Sequence, residues 1–79
     1  MATTTSLNIA FIGGGNMASA LIAGLLAKGQ PSSLLHVVET DAEKLADFQA
    51  KGLNTYNANN IDDTKHAIEK ADVVVLAVK

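Results

Sequence analysis

Hydrophobic residues along the chain follow two different spacings. Short and nearly unbroken apolar runs lie at residues 7–12, 34–39 and 73–78, and a shorter one lies at 53–56. Runs of this kind, without strict alternation, are typical of strands that are buried on both faces. We therefore predict four strands, and we expect residues 73–78, the most apolar and β-branched run, to form the central one.

Between the first two runs, the apolar residues recur at the spacing of one helix face. A helix that begins at Asn16 and ends after Lys28 would bring them together on one side. Gly29 lies where glycine commonly ends a helix. The residues of this face are Ala18, Leu21, Ile22, Leu25 and Leu26.

Two further helices are predicted from signals at their ends. Thr40 and Glu43 have the spacing of a capping box at the start of the second helix, and Gly52 is placed to end it. Asn60 can cap the third helix, whose first turn carries acidic residues that suit the helix dipole. The residues expected to face the core are Ala42, Leu45 and Phe48 in the second helix and Ile61, Ile68 and Ala71 in the third.

The regular alternation of strands and helices predicts the fold class. It indicates an α/β fold with a parallel sheet, right-handed crossovers and helices on both faces. We expect a partial Rossmann-type sheet of four strands in the order 3-2-1-4. The first and fourth strands are then neighbours, and the chain reverses direction between them. This arrangement leaves a crevice at their carboxyl ends, where ligands usually bind.

Composition excludes several classes of protein. The 79 residues carry a net charge of −2 and contain no cysteine, which excludes a disulfide framework, a thiolate zinc site and a cysteine nucleophile. The charges are scattered and there is no Arg, so no basic stripe is available for nucleic acid or an anionic membrane. No apolar run approaches the roughly 18 residues of a membrane span, and the chain starts without a positively charged leader. We therefore expect a cytoplasmic protein without a metal, nucleic-acid or membrane partner.

Histidines and paired acids give no convincing catalytic set. We interpret His36, inside the second predicted strand, as a packed or edge side chain rather than a catalyst, and His66 as a solvated one. Asp62 and Asp63 are better explained as helix-start charges than as metal ligands. The catalytic residues are therefore not assigned from the sequence.

The chemistry is concentrated in residues 13–18, which read Gly-Gly-Gly-Asn-Met-Ala and match G-x-G-x-x-A. This segment follows a predicted strand and opens a predicted helix. Gly13 allows a tight turn, Gly15 lets the backbone approach a pyrophosphate, and Ala18 permits close packing of the helix on the sheet. The helix N-terminus adds N–H groups and a partial positive charge. The segment predicts dinucleotide binding, whereas a turn kept only for packing is the alternative.

Glu39 ends the second predicted strand, about 20 residues after Ala18, where a dinucleotide-binding domain meets the adenosine ribose. Its carboxylate could accept a hydrogen bond from a ribose 2′-OH and would repel a 2′-phosphate. Together with the lack of Arg, this favours NAD. Thr40 and Asp41 lie beside it, and Lys44 could in principle offset a phosphate, so NADP stays open.

Residues 9–25 and 71–79 resemble the N-terminal domain of pyrroline-5-carboxylate reductase. The first segment contains FIGGGNM and the second reads ADVVVLAVK. The resemblance implies that the chain is the N-terminal NAD(P)-binding Rossmann domain, over residues 1–79, of an enzyme that reduces 1-pyrroline-5-carboxylate to L-proline. It further implies a C-terminal helical domain, absent from this chain, that supplies the substrate pocket and a homo-oligomer. In this family the cofactor is often NADPH.

The resemblance also implies roles for individual residues. Ile12 through Met17 would hold the pyrophosphate, and an asparagine before the third helix, Asn59 or Asn60, would meet the adenosine ribose. The end of the last strand would border the ribose and nicotinamide. With the residues named from the motif, the expected cofactor-binding set is Ile12, Gly13, Gly14, Gly15, Asn16, Met17, Ala18, Glu39, Thr40, Asn60, Ala77, Val78 and Lys79.

Two alternatives remain open at this point. A reductase of the 6-phosphogluconate or β-hydroxyacid dehydrogenase type begins with a similar segment, and sequence beyond residue 79 would distinguish it. A non-enzymatic module that senses NAD(H) would bind the dinucleotide without reducing a substrate.

Overall fold

All four predicted strands and three predicted helices are present in the computed structural model, which describes residues 7–13 and 15–77. The strands pair in parallel in the order β3-β2-β1-β4, as predicted. In chain order the elements are β1 (Ile9–Ile12), α1 (Asn16–Ala27), a 3-10 turn (Ser32–Leu34), β2 (Leu35–Glu39), α2 (Ala42–Ala50), β3 (Asn54–Asn57), α3 (Ile61–Lys70) and β4 (Val73–Leu76).

The last strand does not lie where its composition predicted. Within the described residues, β4 pairs only with β1 and forms one edge of the sheet, whereas β1 and β2 are central. The expectation of a central strand at 73–78 is therefore wrong for this chain, and Val78 lies outside the described residues. Apolar composition reports what a strand is suited to pack against, whereas its place in a sheet depends on which strands are present to pair with it. Val73, Val74 and Leu76 are consequently exposed.

One face of the sheet carries the main core, because α1 and α2 pack there. Every second residue of a strand points to the same face, and in β1 and β2 this face is apolar. Ala18 and Ile22 of α1 are buried against it, whereas Leu21 of the predicted helix face is 44% exposed. The buried cluster comprises Phe11, Ala18, Ile22, Leu35, Val37, Phe48 and Leu53.

The helix ends agree with the sequence in part. Gly29 and Gly52 adopt positive φ angles of 95° and 90°, as expected of glycines that end helices. At the start of α2, however, the capping residue is Asp41, whose side chain accepts from the Glu43 and Lys44 backbone N–H groups. The predicted capping box that begins at Thr40 is therefore wrong. The Asp41 carboxylate reaches these two N–H groups and takes the capping role.

The inward faces of α2 and α3 also differ from the prediction. In α2, Phe48 is buried and Leu45 half-buried, but Ala42 is exposed. In α3, Ala67 is the buried residue, whereas Ile61 is 79% and Ile68 46% exposed. A short helix over a small sheet covers little area, so the small Ala67 side chain makes the close approach and the larger side chains lie at the margins.

His36 occupies the other face of the sheet as a packed side chain, as predicted. It is 3% exposed, and its two ring nitrogens lie 3.1 Å from the Tyr56 hydroxyl and 2.9 Å from Asn8 Oδ1. Because the Asn8 oxygen can only accept, Nε2 carries the proton and Nδ1 accepts from Tyr56. Burial, and then the positive charge of Lys70, lower the pKa of His36. A neutral imidazole on β2 therefore links Tyr56 of β3 to Asn8, the residue before β1.

Candidate dinucleotide-binding site

A tight glycine turn connects β1 to α1 at the carboxyl end of the sheet. Gly13 has a φ of 96°, a conformation that favours glycine, and its N–H donates to the Val38 carbonyl at 2.8 Å. This bond fastens the start of the loop to the end of β2. Gly14 lies outside the described residues. The turn places the following helix N-terminus over the crevice between β1 and β4.

Gly15 caps α1 and is a glycine for a different reason. Its φ of −74° and ψ of −170° are open to any residue. Among the described residues, the nearest heavy atom to an added Cβ is the Ala77 carbonyl oxygen at 3.9 Å, which is ordinary contact. Neither the backbone angles nor the packing of residues 7–13 and 15–77 requires glycine here. The missing side chain instead leaves space for a group that approaches from outside, as a pyrophosphate would.

The three helix N-termini differ in how their N–H groups are satisfied. Asp41 caps α2 and Asn60 caps α3, each with side-chain hydrogen bonds to two backbone N–H groups, and both helices carry acidic residues in the first turn. By contrast, α1 has no side-chain cap and no acidic residue in its first turn. In the part of the chain that the structure describes, its first N–H groups therefore have no side-chain acceptor, and phosphate is a group that such termini bind.

The other residues of the loop take distinct places. Ala18 is fully buried, as close packing of α1 on the sheet requires. Asn16 and Met17 are exposed at the mouth of the crevice, where Met17 is 64% accessible. Ile12 is half-buried, and its carbonyl accepts from the Ala77 N–H at 2.9 Å. That bond brings the end of β4 beside the glycine turn, whereas the next two predicted residues, Val78 and Lys79, lie outside the described part of the chain.

Glu39 ends β2 at the same edge of the sheet and is half-buried. Its carboxylate oxygen Oε2 accepts from the backbone N–H groups of Thr40 and Asp41 at 2.7 and 2.8 Å and from the Thr40 hydroxyl at 3.1 Å. The Glu39 carboxylate is therefore folded back over its own loop, beside Thr40.

An open cleft of about 490 Å³ lies next to this loop, after β3. Its lining includes Asn57, Asn59, Asn60, Ile61 and Asp62. Asn60 Oδ1 is engaged in capping, since it accepts from the Asp62 and Asp63 N–H groups. Asn57, which pairs in register with Glu39, was missed by the sequence reasoning. Its position directly after the predicted strand at 53–56 was the signal that could have found it.

Fold and site together define a class of protein. A parallel sheet in this order, with a glycine turn and an uncapped helix at the crevice between β1 and β4, is a dinucleotide-binding Rossmann domain. Residues 8–79 match the family model described as "NADP oxidoreductase coenzyme F420-dependent". The chain belongs to this family, and the expectation of NAD(H) or NADP(H) as cofactor is confirmed at that level.

Individual relatives of the chain carry a more specific name than the family model. The chain is 46% identical over 72 residues to pyrroline-5-carboxylate reductase of Pasteurella multocida, and 49% identical over 71 residues to that of Haemophilus influenzae. These alignments cover 91% and 90% of this chain but 26% and 24% of the relatives. The chain thus spans about a quarter of their length and matches their N-terminal, NAD(P)-binding portion.

A solved structure agrees with the sequence relatives. The pyrroline-5-carboxylate reductase of Coxiella burnetii superposes with a TM-score of 0.79 at 40% identity, over 94% of this chain and 26% of that one. The resemblance seen in the sequence and the predicted fold class are both confirmed. Within residues 7–13 and 15–77, no helix has the length and apolar character needed to cross a membrane.

Proposed function

We propose that this chain is the cofactor-binding part of a pyrroline-5-carboxylate reductase, which reduces 1-pyrroline-5-carboxylate to L-proline with NAD(P)H. The matching relatives carry that name. Residues 1–79 form the N-terminal domain, and the substrate pocket and catalytic groups belong to the remaining part of such an enzyme. The bound nicotinamide supplies the hydride.

The main support for cofactor binding by this chain is the start of α1. The N-terminus of α1 has neither a side-chain cap nor an acidic first turn, and beside Gly15 there is a space that none of the described residues fills. An anionic ligand explains both features at once. The backbone from Ile12 to Met17 holds the pyrophosphate, with Ala18 allowing the close approach.

The remaining residues take places around the same crevice. Glu39, Thr40 and the asparagine cleft after β3 surround the adenosine ribose. Ala77 lies beside the glycine turn and borders the nicotinamide side, followed by Val78 and Lys79. We further infer a homo-oligomer, which the apolar edge strand β4 supports, and a cytoplasmic location, with which the absence of cysteine is compatible.

The proposed role of this chain is to bind the nicotinamide cofactor and not the substrate. Hydride transfer needs the imine carbon of the substrate held against the nicotinamide. We therefore expect the 79-residue protein to bind NADH or NADPH but to release no proline from 1-pyrroline-5-carboxylate.

Titration of the 79-residue protein with NADH and with NADPH, followed by nicotinamide fluorescence, tests the proposal. Saturable binding of at least one of them, with no proline formed when substrate is added, is the expected result. Absence of binding by the folded protein would overturn the cofactor assignment, and turnover by the chain alone would overturn the assignment of the substrate pocket to another domain.

A further inference from the structure

β3 is a polar strand at one edge of the sheet, so apolar packing does little to fix its register. Its four residues are Asn-Thr-Tyr-Asn, all exposed or half-buried, and among the described residues the strand pairs only with β2. Hydrophobic alternation specifies the register of a strand with one buried face, but it specifies that of a polar strand only weakly. Side-chain contacts therefore have to supply the register of β3.

The Tyr56 hydroxyl makes one such contact. Tyr56 pairs in register with Val38, and its hydroxyl reaches diagonally to His36 Nδ1 at 3.1 Å, on the same face of the sheet. A shift of β3 by two residues would keep its side chains on their faces but would move this hydroxyl by about 7 Å. The hydrogen bond is therefore specific to one register.

The His36 ring is itself held from the opposite side. It is buried, and its Nε2 donates to Asn8 Oδ1 at 2.9 Å. Asn8 is fastened to the residue before β4, since its N–H donates to Asp72 Oδ2 at 2.8 Å and its carbonyl accepts from the Asp72 N–H at 2.7 Å. A chain of hydrogen bonds thus runs across the sheet from the start of β4 to β3, and Tyr56 is its last member.

The register of β3 sets what lies beside the cofactor crevice. Asn57, the residue after Tyr56, pairs with Glu39 and lines the asparagine cleft. The Ala58 N–H donates to the Glu39 carbonyl at 3.0 Å, which continues the pairing beyond the strand. If β3 loosened or shifted, the cleft would move away from the end of β2.

We propose that His36 and Tyr56 are positioning residues for the dinucleotide, because their hydrogen bond fixes the register of β3 and thereby the place of the asparagine cleft. This rests on the proposed function, in which the cleft meets the adenosine ribose of the cofactor. His36 is buried and does not reach a ligand, so its effect passes through β3.

Substitution of Tyr56 separates this hydrogen bond from aromatic packing. Y56F keeps the ring, whose centroid lies 5.8 Å from that of His36, and removes only the hydroxyl. T55V is the matched control, since it removes a hydroxyl from the adjacent residue of the same strand, on the opposite face. H36F removes the other partner, and Y56F should have no further effect in that background, because the bond is already lost.

The experiment measures dissociation constants of NADH, NADPH and inorganic pyrophosphate for the 79-residue protein and its variants. Pyrophosphate is the part of the dinucleotide that meets the start of α1 and does not extend to the asparagine cleft. Y56F should weaken binding of NADH and NADPH by about threefold and leave pyrophosphate binding unchanged, whereas T55V should change none of the three.

Amide hydrogen exchange without ligand gives a second and local measurement. In Y56F the Ala58 N–H should exchange at least about threefold faster, since its partner is the Glu39 carbonyl across the β2–β3 pair. The Gly13 N–H, which donates to the Val38 carbonyl, reports on the β1 side of β2 and should keep its rate.

Each other outcome overturns a defined statement. Unchanged dinucleotide affinity or unchanged Ala58 exchange in Y56F overturns this inference and leaves the proposed function standing. An equal loss of pyrophosphate and dinucleotide affinity assigns the effect to general destabilisation and also overturns it. Failure of the folded original chain to bind either dinucleotide overturns the proposed function and this inference together.

Discussion

The carbonyl oxygen of Ala77 lies 3.9 Å from the position that a Cβ on Gly15 would take. Alanine at position 15 would therefore touch the end of β4 without clashing, and its backbone angles need no change. The fold therefore tolerates a side chain at position 15, and such a side chain would obstruct only a ligand. Stability and cofactor binding can thus be separated at this residue.

Gly15→Ala is expected to weaken binding of the dinucleotide by at least about tenfold, because the new methyl group occupies the space through which the pyrophosphate approaches. The free energy of unfolding should change by no more than about 1 kcal/mol, the difference between glycine and alanine at a helix N-cap. Fluorescence titration and urea denaturation measure the two quantities. Unchanged affinity would show that nothing approaches Gly15 closely.

Gly24→Ala, in the same helix, should change stability and leave cofactor binding unaffected. Gly24 is exposed in the middle of α1, and among the described residues no atom outside its chain neighbours and the adjacent helix backbone lies within 4 Å of an added Cβ. Alanine there should raise the free energy of unfolding by about 0.5 to 1 kcal/mol, since it lowers the entropy of the unfolded chain and favours helix. Affinity for the dinucleotide should stay as it is. A loss of stability in urea denaturation would contradict the geometry around α1.

Stability should fall at mildly acidic pH because of His36. Its pKa lies below the ordinary 6.5, first because of burial and then because of the positive charge of Lys70. The unfolded chain therefore binds a proton more readily than the folded one in the window below 6.5, so the contribution of His36 is fully present above that pH and is lost as pH falls towards the lowered value. Protonation would also place a hydrogen on Nδ1, which now accepts from the Tyr56 hydroxyl.

Urea midpoints measured between pH 7.5 and pH 5 would test this dependence. H36Q should remove most of the fall, and H66Q, which changes an exposed histidine on α3, is the matched control and should keep it. A fall of the same size in H36Q would assign the pH dependence to other groups.

The edge of β4 should make the 79-residue protein associate. Within the described residues, this strand pairs on one side only, and Val73, Val74 and Leu76 are 41%, 41% and 70% exposed. No charged residue or proline interrupts it, and exposed apolar edges of this kind pair with further strands. Sedimentation should show a concentration-dependent increase in mass.

Lysine placed on that edge should suppress the association. Leu76→Lys adds a charge to an exposed position of β4, whereas Ile68→Lys adds the same charge to an exposed apolar position of α3. The first variant is expected to sediment as a monomer and the second to behave like the original chain. A monomer at every concentration in the unmodified protein would contradict the prediction.

The features that could be predicted from the sequence alone are those set by interactions between residues close together along the chain. The element order, the turn at Gly13, the helix ends at Gly29 and Gly52 and the cap at Asn60 were all predicted and are all present. The element order follows from the spacing of apolar residues, and each of the other features depends on the backbone preference of one residue or on a hydrogen bond to the next few residues. Such preferences act within a few residues, so the linear order of residues is enough to reveal them.

Other features depend on parts of the chain that meet only after folding. Strand composition wrongly favoured a central place for β4, although the predicted strand order put it at an edge. The sequence also could not choose Asp41 over Thr40 as the cap of α2 or identify Ala67 as the buried residue of α3. It also left open what the Glu39 carboxylate contacts. By itself the sequence determined the kind of loop that would meet a dinucleotide. Only the tertiary structure decided which donors, spaces and edges around that loop are already occupied, because occupancy is a property of neighbours in space.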